Sequence, residues 1–443
     1  MKIFSSYKVK IKHYSNIFKD TMSVYRDAVD FLIDVCMKEW DDISTIDSSC
    51  RRLSYMEKLC HKTKENPEPR YSFDKRFYKF PSYLRRSAIN EAIGAVSSYR
   101  SRLASWENAD ASTRGRKPGY PKSGPLSPCM YKDGMYRRLG IYEAKIKVYV
   151  RNTWDWLTVS LKKPDADYIS RWCSLRKECA PFLRKRGKQW FLEFPFEESV
   201  SLNNTDIFHQ TVLAVDLGLN SPAAVSVMRS DGTILGRHFL SLPKEYDSLK
   251  HSINRIKKVQ RSGNFKTPRL WAGAKGINDR IAVLTADFIM GVAKRYQVDT
   301  IVFEYLDFSG KRRGSKRQML HLWKSRYVQS MVTDKAHREG MHIAHVCAWG
   351  TSRLAFDGSG PVSRGRDAGL PNHSVCRFQN GKVYNSDLSA SYNIGSRYFI
   401  RKILKPLPEM VRLALEAKVP QAARRSTSTL STLISLNAEL LSA

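Results

Sequence analysis

The amino-acid sequence predicts a multidomain α+β protein, with a helical section and a small β-domain in its first half and an α/β domain in its second half. Three observations lead to this prediction. Apolar residues recur at helical spacing between residues 16 and 108, and strands of alternating polarity follow up to residue 205. Continuous apolar runs then alternate with helical patterns. At 443 residues the chain is long enough for two to four domains.

The first half of the chain contains both the helices and the small β-domain. Residues 1–15 alternate apolar and polar residues and predict a first strand of the β-domain. Helical periodicity in residues 16–108 predicts a helical domain, whose second long helix begins after Pro81. A linker rich in Pro, Gly and basic residues begins at residue 109 and marks a boundary. The short strands beyond it predict a small β-barrel.

The second half predicts a sheet whose strands end on acids. A buried strand, residues 212–216, ends on Asp216, and a second apolar run ends on Glu304. A third acid, Asp387, begins a helical pattern. A hairpin signal and amphipathic helices lie between the first two acids. The resulting order of strand, hairpin, helix, strand and helix is that of a ribonuclease-H-like sheet.

Three acids at the ends of three elements suit a two-metal site that cleaves phosphodiesters. Two ions about 3.5–4 Å apart activate a water and stabilise the leaving oxygen in such sites. Carboxylate oxygens favour Mg²⁺, and Mn²⁺ could substitute for it. A single acid at a strand end is more often a turn residue. Three of them in a basic protein favour the metal interpretation.

The charge of the chain predicts a polyanionic partner. Its 75 Lys and Arg residues against 42 Asp and Glu give a formal net charge of +33, spread over the whole length. A long nucleic acid fits this distribution better than a small phosphate ligand. The candidates for nucleic-acid contact are basic residues of helices, linker and loops: Arg85, Arg100, Arg114, Arg116, Lys117, Arg255, Lys258, Arg312, Arg313, Lys316 and Arg317.

Other patterns argue against membrane and disulfide-rich proteins. There is no run of about 18 apolar residues and no secretory leader at Met1, so we expect a cytoplasmic protein. The eight cysteines form no C-x-x-C pair and predict reduced thiols.

Four motifs give the second half a resemblance to a known family. They are Val-Asp-Leu-Gly at 215–218, Ile-Val-Phe-Glu-Tyr-Leu at 301–306, Gly-Thr-Ser-Arg at 350–353 and Asp-Leu-Ser-Ala-Ser-Tyr-Asn-Ile at 387–394. Together they resemble the split RuvC nuclease domain of the TnpB family, whose members are transposon-encoded RNA-guided DNA endonucleases. The compact type V CRISPR effectors, which are related to this family, share that resemblance. The resemblance is specific from about residue 206 to 400 and looser before it.

The resemblance implies an order of domains along the chain. This order is a first wedge strand (1–15), a helical recognition domain (16–108), a wedge β-barrel (109–205), a RuvC-like nuclease domain (206–346), a degenerate zinc-ribbon-like insertion that binds the target (347–384), the rest of the nuclease domain (385–418) and a C-terminal tail (419–443). The tail, rich in Ala, Ser and Thr, is expected to be mobile or weakly helical.

The same resemblance implies a function. Asp216, Glu304 and Asp387 would be the catalytic acids that hold two Mg²⁺ ions. The protein would bind a structured guide RNA, of transposon or CRISPR origin, and recognise a short motif next to a double-stranded DNA target. It would then open the duplex and cleave DNA as the displaced strand reaches the acids, acting as a monomer or homodimer.

The chain departs from the family pattern in two places. The family often carries two C-x-x-C pairs after the 350–353 motif, whereas only Cys347, Cys376 and His373 lie nearby here. Tetrahedral zinc needs four N or S ligands, so we do not expect Zn²⁺, and the insertion would flank the site without metal. Ser389 stands where the family often has Asn.

Two other functions fit part of the sequence. One is a nuclease-inactive, RNA-guided regulator that binds DNA, and the three acids argue against it. The other is a ribonuclease-H-like transposase or resolvase, which the large basic first half and the 387–394 motif do not suit. A purely structural nucleic-acid-binding protein leaves the acids unexplained. RNA that co-purifies with the protein would separate these classes.

Overall fold

A computed structural model provides the structure of the chain. It describes residues 1–12, 16–112, 114–124, 128–131, 133–219, 221–305, 323–365 and 369–442. The chain divides into an N-terminal unit, Lys2–Glu198, and a C-terminal unit, Ser199–Ala443 with Met1. Among the described residues, no helix combines the length and hydropathy needed to span a membrane.

Amphipathic helices begin the N-terminal unit. Their bounds are α1 (Asn16–Lys38), α2 (Trp40–Thr45), α3 (Ser49–Cys60), α4 (Phe73–Arg76) and α5 (Ser82–Glu107). The two long helices, α1 and α5, pack together through apolar faces that include Tyr25, Leu32 and Ile89, all fully buried. The Tyr25 hydroxyl forms a hydrogen bond with the Ser87 hydroxyl (3.1 Å), which satisfies both polar groups inside this contact.

Two antiparallel sheets complete the N-terminal unit. One contains β1 (Lys2–Lys10), β5 (Lys177–Glu178), β6 (Phe182–Arg186) and β7 (Gln189–Ser199), and the other β2 (Tyr136–Arg138), β3 (Glu143–Val150) and β4 (Thr153–Ser160). The helix α6 (Lys163–Trp172) lies between β4 and β5 in the chain. An isolated antiparallel bridge joins Ile11, after β1, to Leu161, after β4.

The helices and sheets of this unit share one hydrophobic core. It extends from Val29 on α1 to Ile146 on β3 and Phe194 on β7. The sequence predicted separate helical and β-domains, 16–108 and 109–205. The structure instead has one unit here, because the helices and the sheets bury their apolar faces in the same core.

A five-stranded sheet forms the centre of the C-terminal unit. Its strands are β8 (Thr211–Asp216), β9 (Ala223–Arg229), β10 (Ile234–Leu240), β11 (Thr300–Tyr305) and β12 (His342–Cys347), in the order β10-β9-β8-β11-β12. Neighbours among β8, β9 and β10 are antiparallel, whereas β11 is parallel to both β8 and β12. The predicted order of strand, hairpin, helix, strand and helix is therefore confirmed.

The C-terminal unit also contains helices, several of which cover both faces of this sheet. They are α7 (Pro243–Arg261), α8 (Pro268–Arg295), α9 (Ser325–Arg338), α10 (Ser386–Leu404), α11 (Glu409–Lys418) and α12 (Leu430–Ser442). Val215 and Phe303 share a core with residues of α8 and α9. Ala214 and Val302 share the other core with residues of α10 and α12. Successive strand residues point to opposite faces, which explains this division.

Helix α10 lies directly on the sheet because Gly395 has no side chain at the contact. A β-carbon at this position would overlap the Met228 sulfur and lie 3.2 Å from the Ala214 β-carbon. Only glycine permits so close an approach of main chain to strands β8 and β9. The helix that carries Asp387 is thereby held against the strand that carries Asp216.

The predicted insertion, residues 347–384, contains a small antiparallel sheet. Its strands are β13 (Ser363–Arg364), β14 (Val375–Arg377) and β15 (Val383–Asn385). Ala355, Cys376 and Phe378 form a separate small core. The Cys376 thiol is buried in that core, as expected of a reduced cysteine that fills apolar space.

Residues 419–443, considered as a mobile tail or a weak helix, contain a packed helix. Leu433 and Leu436 of α12 are fully buried in the core that includes α10. Together with the buried Leu430, they recur every three residues along one side of the helix. This apolar side, rather than the Ala, Ser and Thr composition, determines the structure of the segment.

We predict that Leu436→Ala destabilises the C-terminal unit by about 2–5 kcal/mol, because it leaves a cavity in a packed core. Thermal unfolding measured by circular dichroism would show a lower midpoint. Leu441→Ala is the matched control, since this leucine of the same helix is 90% exposed and should leave the midpoint unchanged. Equal midpoints for the two variants would contradict the packing of α12.

Candidate active site

The register of the parallel strands places Asp216 and Glu304 side by side. Strands β8 and β11 pair with Val215 opposite Phe303, so Asp216 and Glu304 follow at the next position. Val215 and Phe303 point toward α8 and α9. Because side chains alternate along a strand, both acids lie on the opposite face, which α10 covers.

The third acid lies in the first turn of α10. Asn385 caps this helix, and its side chain accepts a hydrogen bond from the Leu388 amide (2.9 Å). Asp387 follows the cap by two residues, where the N-terminus of a helix stabilises negative charge. Since α10 packs on β8 and β11, the three predicted acids belong to one side of one sheet.

The three carboxyl groups lie close enough to change one another's ionisation. Burial raises the pKa of Asp216 well above its ordinary value, and the charges of Glu304 and Asp387 raise it further. Burial also raises the pKa values of Glu304 and Asp387. Buried like charges need compensation by protons, hydrogen bonds or cations.

The three acids suit Mg²⁺ better than a metal ion that needs a closed cage of protein ligands. Within the described parts of the chain, no three His, Cys, Asp or Glu side chains gather tightly enough to hold an ion by themselves. Mg²⁺ usually keeps several waters and binds only one or two protein carboxylates together with substrate phosphates. Three acids that interact as charges without forming a cage are compatible with that kind of binding.

Arg364 brings a positive charge to the acids. The sequence did not single it out, because it is one of several arginines in a segment rich in Gly and Ser. Its charge lowers the pKa values of Asp216 and Asp387 against the effect of burial. One terminal nitrogen donates to the Ser352 carbonyl, whereas the buried Nε has no partner among the described residues. An unused buried donor beside this site can serve an anionic ligand.

The 350–353 motif packs against the second acid. Thr351 is buried and donates its hydroxyl to the Ala348 carbonyl (2.9 Å), and the polar side chain of Thr351 lowers the pKa of the Glu304 carboxyl group. The main-chain carbonyl of Thr351 accepts a hydrogen bond from the Asn393 side chain (2.9 Å). Asn393, which is fully buried, also donates to the Leu354 carbonyl (2.9 Å). Two motifs that are distant in the sequence therefore meet at Glu304.

Arg397 is a second cation near the acids that the sequence did not reveal. It is only 4% exposed, and its charge lowers the pKa of Glu304. Its guanidinium donates four hydrogen bonds to main-chain carbonyls, those of Cys347 (2.7 Å), Trp349 (2.8 Å), Ser426 (2.8 Å) and Ser428 (3.1 Å). The sequence feature that could have revealed Arg397 is its position four residues after Asn393, which places both residues on the same side of α10.

A basic cavity of about 760 Å³ opens beside the strand that carries Glu304. Tyr305, which is 66% exposed, is one of its lining residues. Its charged lining residues outside the Arg397 network are Arg401, Lys405, Arg412, Arg425 and Glu416. Four cations and one acid make this cavity suited to an anionic ligand next to the acids.

Among the described residues predicted to contact nucleic acid, exposure to solvent differs widely. In the N-terminal unit, Arg85 is only 5% exposed and faces the carboxylates of Glu57 and Asp74, so its charge is balanced internally and is not presented at the surface. Arg100 is half-buried. Arg255 and Lys258 are exposed on α7 of the C-terminal unit.

The three basic residues predicted in the linker are exposed: Arg114, Arg116 and Lys117. Arg114 stacks on Trp106 and donates to the carbonyls of Glu107 and Ala109, so part of its donor capacity closes the end of α5. The remaining candidates lie outside the described residues: Arg312, Arg313, Lys316 and Arg317.

Comparison of the sequence with known proteins gives a match in the first half of the chain. The Aq_aa04 family matches residues 5–150, a range that contains none of the three acids. The uncharacterized protein aq_aa04 of Aquifex aeolicus (strain VF5) is 39% identical over 79 residues, which are 18% of this chain and 44% of that protein. The chain thus matches less than half the length of this relative.

Comparison with solved structures gives matches over most of the chain. Cas12f1, in a cryo-EM structure with sgRNA and target DNA, has a TM-score of 0.47 and 14% identity, covering 89% of this chain and 98% of that one. AacC2c1, in a crystal structure with sgRNA, has a TM-score of 0.40 and 10% identity, covering 87% and 70%. CasPhi-2 (Cas12j), in a cryo-EM structure with crRNA, has a TM-score of 0.37 and 8% identity, covering 90% and 98%.

We predict that Asp216→Asn stabilises the metal-free protein. The pKa of Asp216 is higher in the folded protein than in the unfolded chain, where it is about 3.9. Protonated Asp216 therefore stabilises the fold fully at pH values below about 3.9, and this stabilisation is lost as the pH rises through the pKa of the folded protein. A neutral amide avoids this loss. In EDTA at neutral pH, the thermal midpoint of the variant should exceed that of the wild type by roughly 2–4 °C per kcal/mol gained, and the difference should shrink toward about pH 4.

The exposed Asp247 on α7 provides the control, and Asp247→Asn should shift the midpoint little at any pH. Added Mg²⁺ should stabilise the wild type more than Asp216→Asn, because the variant loses one carboxylate. A metal-free Asp216→Asn protein that melts at or below the wild-type temperature at neutral pH would show that the three charges do not oppose folding.

Proposed function

We propose that the protein is an RNA-guided, Mg²⁺-dependent DNA endonuclease. Its nuclease site is a RuvC-like arrangement of Asp216, Glu304 and Asp387 on a ribonuclease-H-like sheet. The observation that carries this proposal is the meeting of three half-buried acids, from two adjacent parallel strands and one helix, at the same side of the sheet. They are the acids of the motifs that resemble the TnpB family.

The proposed chemistry assigns a task to each group around the acids. Asp216, Glu304 and Asp387 would hold the Mg²⁺ ions, which when bound would supply activation of a water for attack on the phosphodiester and stabilisation of the leaving oxygen. Thr351 and Arg397 favour the ionised form of Glu304 by lowering its pKa. The N-terminus of α10 favours ionised Asp387.

Arg364 has the task of binding the substrate phosphate. Its buried Nε lacks a partner among the described residues, and its charge acts on two of the acids. A guanidinium can donate two parallel hydrogen bonds to phosphate oxygens and stabilise the charge that develops on them. We assign Arg364 this contact in the proposed reaction.

The polyanionic partners in the proposal are a guide RNA and a DNA duplex. The formal charge of +33 supports a long nucleic acid as partner. The complexes of Cas12f1, AacC2c1 and CasPhi-2 contain a guide RNA, and that of Cas12f1 also contains target DNA. We propose the same two partners for this chain. Base pairing with the guide then selects the sequence, and the protein recognises a short adjacent motif.

The first experiment is to purify the protein from cells that carry its native locus and to sequence the bound RNA. We expect one discrete RNA with a structured part and a variable end. A duplex matching that end should be cut in Mg²⁺ and left intact in EDTA. Asp216→Ala should abolish cutting while RNA and target binding persist, because the acid serves chemistry rather than guide recognition.

The possible results separate the alternative functions. RNA from a repeat array would indicate a CRISPR effector, and RNA from the flank of the protein's own gene would indicate a TnpB. Random RNA fragments would reject the guided function and favour a transposase or resolvase. Guided binding without any cutting by the wild type would indicate a regulator. Cutting by Asp216→Ala at the wild-type rate would reject the proposed site.

Arg364→Ala should slow single-turnover cleavage by roughly 10²-fold, the usual loss when one donor to a developing negative charge is removed. Arg364→Lys, which keeps the charge without the planar donor pair, should have an intermediate rate. Arg377→Ala is the control, because this exposed arginine belongs to the same small sheet. Wild-type rates for Arg364→Ala would remove this residue from the mechanism.

A further inference from the structure

Helices α7 and α8 form a hairpin that extends beyond the main sheet. They are joined by residues 262–267 and share a core of their own, in which Ile253 and Ile256 of α7 meet Ala274 and Ile281 of α8. The later part of α8, from Ala282 onward, instead belongs to the core of the sheet. The later half of α8 therefore packs on the sheet, whereas the core of its first half is shared with α7.

The half of α8 that packs on α7 projects past the sheet edge where the acids lie. The end of α8 lies at the opposite edge, since the Asp299 amide just after it donates to Thr211 at the start of β8 (2.8 Å). Leu217, just after Asp216, lines a small cavity together with Ile281 of α8. The sheet edge that carries the acids therefore lies at the position of Ile281 along α8. At about 1.5 Å per helical residue, α8 begins at Pro268 roughly 20 Å from Ile281, so the tip of the hairpin lies about that far beyond the edge.

The tip of the hairpin is strongly basic. Between residues 255 and 275 the chain has seven Lys and Arg residues and no Asp or Glu. The ion pairs of the two helices, such as Arg280 with Glu245, lie outside this stretch as far as the described residues extend. Uncompensated charge of one sign on a projecting element is suited to contact with a phosphate backbone.

An exposed aromatic ring lies at the centre of this basic tip. Phe265 is 74% exposed, in the turn between the two helices. Gly263 has a positive φ of 84°, and the Asn264 side chain accepts a hydrogen bond from the Lys266 amide (3.2 Å). The turn therefore has a defined shape that presents the ring to solvent. Aromatic rings among basic residues bind single strands, because every unpaired base offers a face for stacking.

We propose that the α7–α8 tip binds the single strand of DNA that runs to the acids, with Phe265 stacked on an unpaired base and the basic residues on its phosphates. This assignment rests on the proposed nuclease function and adds a second contact point to it. At about 3.4 Å per stacked nucleotide, the tip would hold the strand about six nucleotides from the cleaved bond. A duplex is a poorer occupant, since its bases are already stacked and paired.

Binding of the full chain in EDTA, where cleavage does not occur, tests the proposal. Fluorescence anisotropy would follow a labelled single-stranded DNA of mixed sequence, an RNA of the same sequence and a blunt duplex. Phe265→Ala should weaken single-stranded DNA binding about fivefold or more, whereas Phe265→Trp should retain the affinity. Phe239→Ala is the matched control, because this ring is also exposed, at 48%, but lies on β10.

The basic residues of the tip have a separate readout. Arg261→Ala and Lys266→Ala should each reduce the slope of log affinity against log salt for single-stranded DNA by about 0.7, whereas Phe265→Ala should leave that slope unchanged. A stacking contact and a phosphate contact are distinguished in this way.

Several results would overturn the proposal. They are unchanged binding by Phe265→Ala, an equal loss with Phe239→Ala, an equal loss for the duplex, and a loss confined to RNA. The test is independent of the nuclease function. A protein that cuts DNA but binds normally after Phe265→Ala disproves only the hairpin contact. One that never cuts, yet loses single-stranded DNA binding in that variant, disproves only the nuclease.

Discussion

The burial of three carboxyl groups beside one another is the constraint on which the C-terminal unit depends. Burial raises the pKa of each acid, and the charges of Glu304 and Asp387 raise that of Asp216 further. The surroundings counter this cost with the polar side chain of Thr351, the charges of Arg397 and Arg364, and a helix N-terminus at Asp387. Because these groups compensate the charge only in part, the pKa values of the three acids remain raised.

Helix α10 connects most of these compensating groups. Asp387 lies in its first turn, and Asn393 binds the loop that contains Thr351. Gly395 allows contact with the sheet, and Arg397 ties two loops to the helix through their carbonyls. One buried helix thus aligns segments that are far apart in the chain. A change inside this helix affects several parts of the site at once.

The sequence was sufficient to place Asp216 and Glu304 near the ends of strands, because apolar strand runs and their ends are local signals. It was insufficient for Arg364 and Arg397, whose partners are main-chain carbonyls and acids from distant segments. The separate domains predicted in the first half share one core, because apolar periodicity does not reveal which faces meet. The packing of the helix at the C-terminus was not predicted, because its three buried leucines stand among Ala, Ser and Thr residues.

The contacts of Arg397 also set an order of events during synthesis. Its guanidinium binds the carbonyls of Ser426 and Ser428, and the Asn393 side chain accepts a hydrogen bond from the Leu430 amide (3.3 Å). The surroundings of Glu304 are therefore complete only after residue 430 has left the ribosome. Until then the growing chain carries all three acids without their finished support, and products of early termination at any earlier codon lack it permanently.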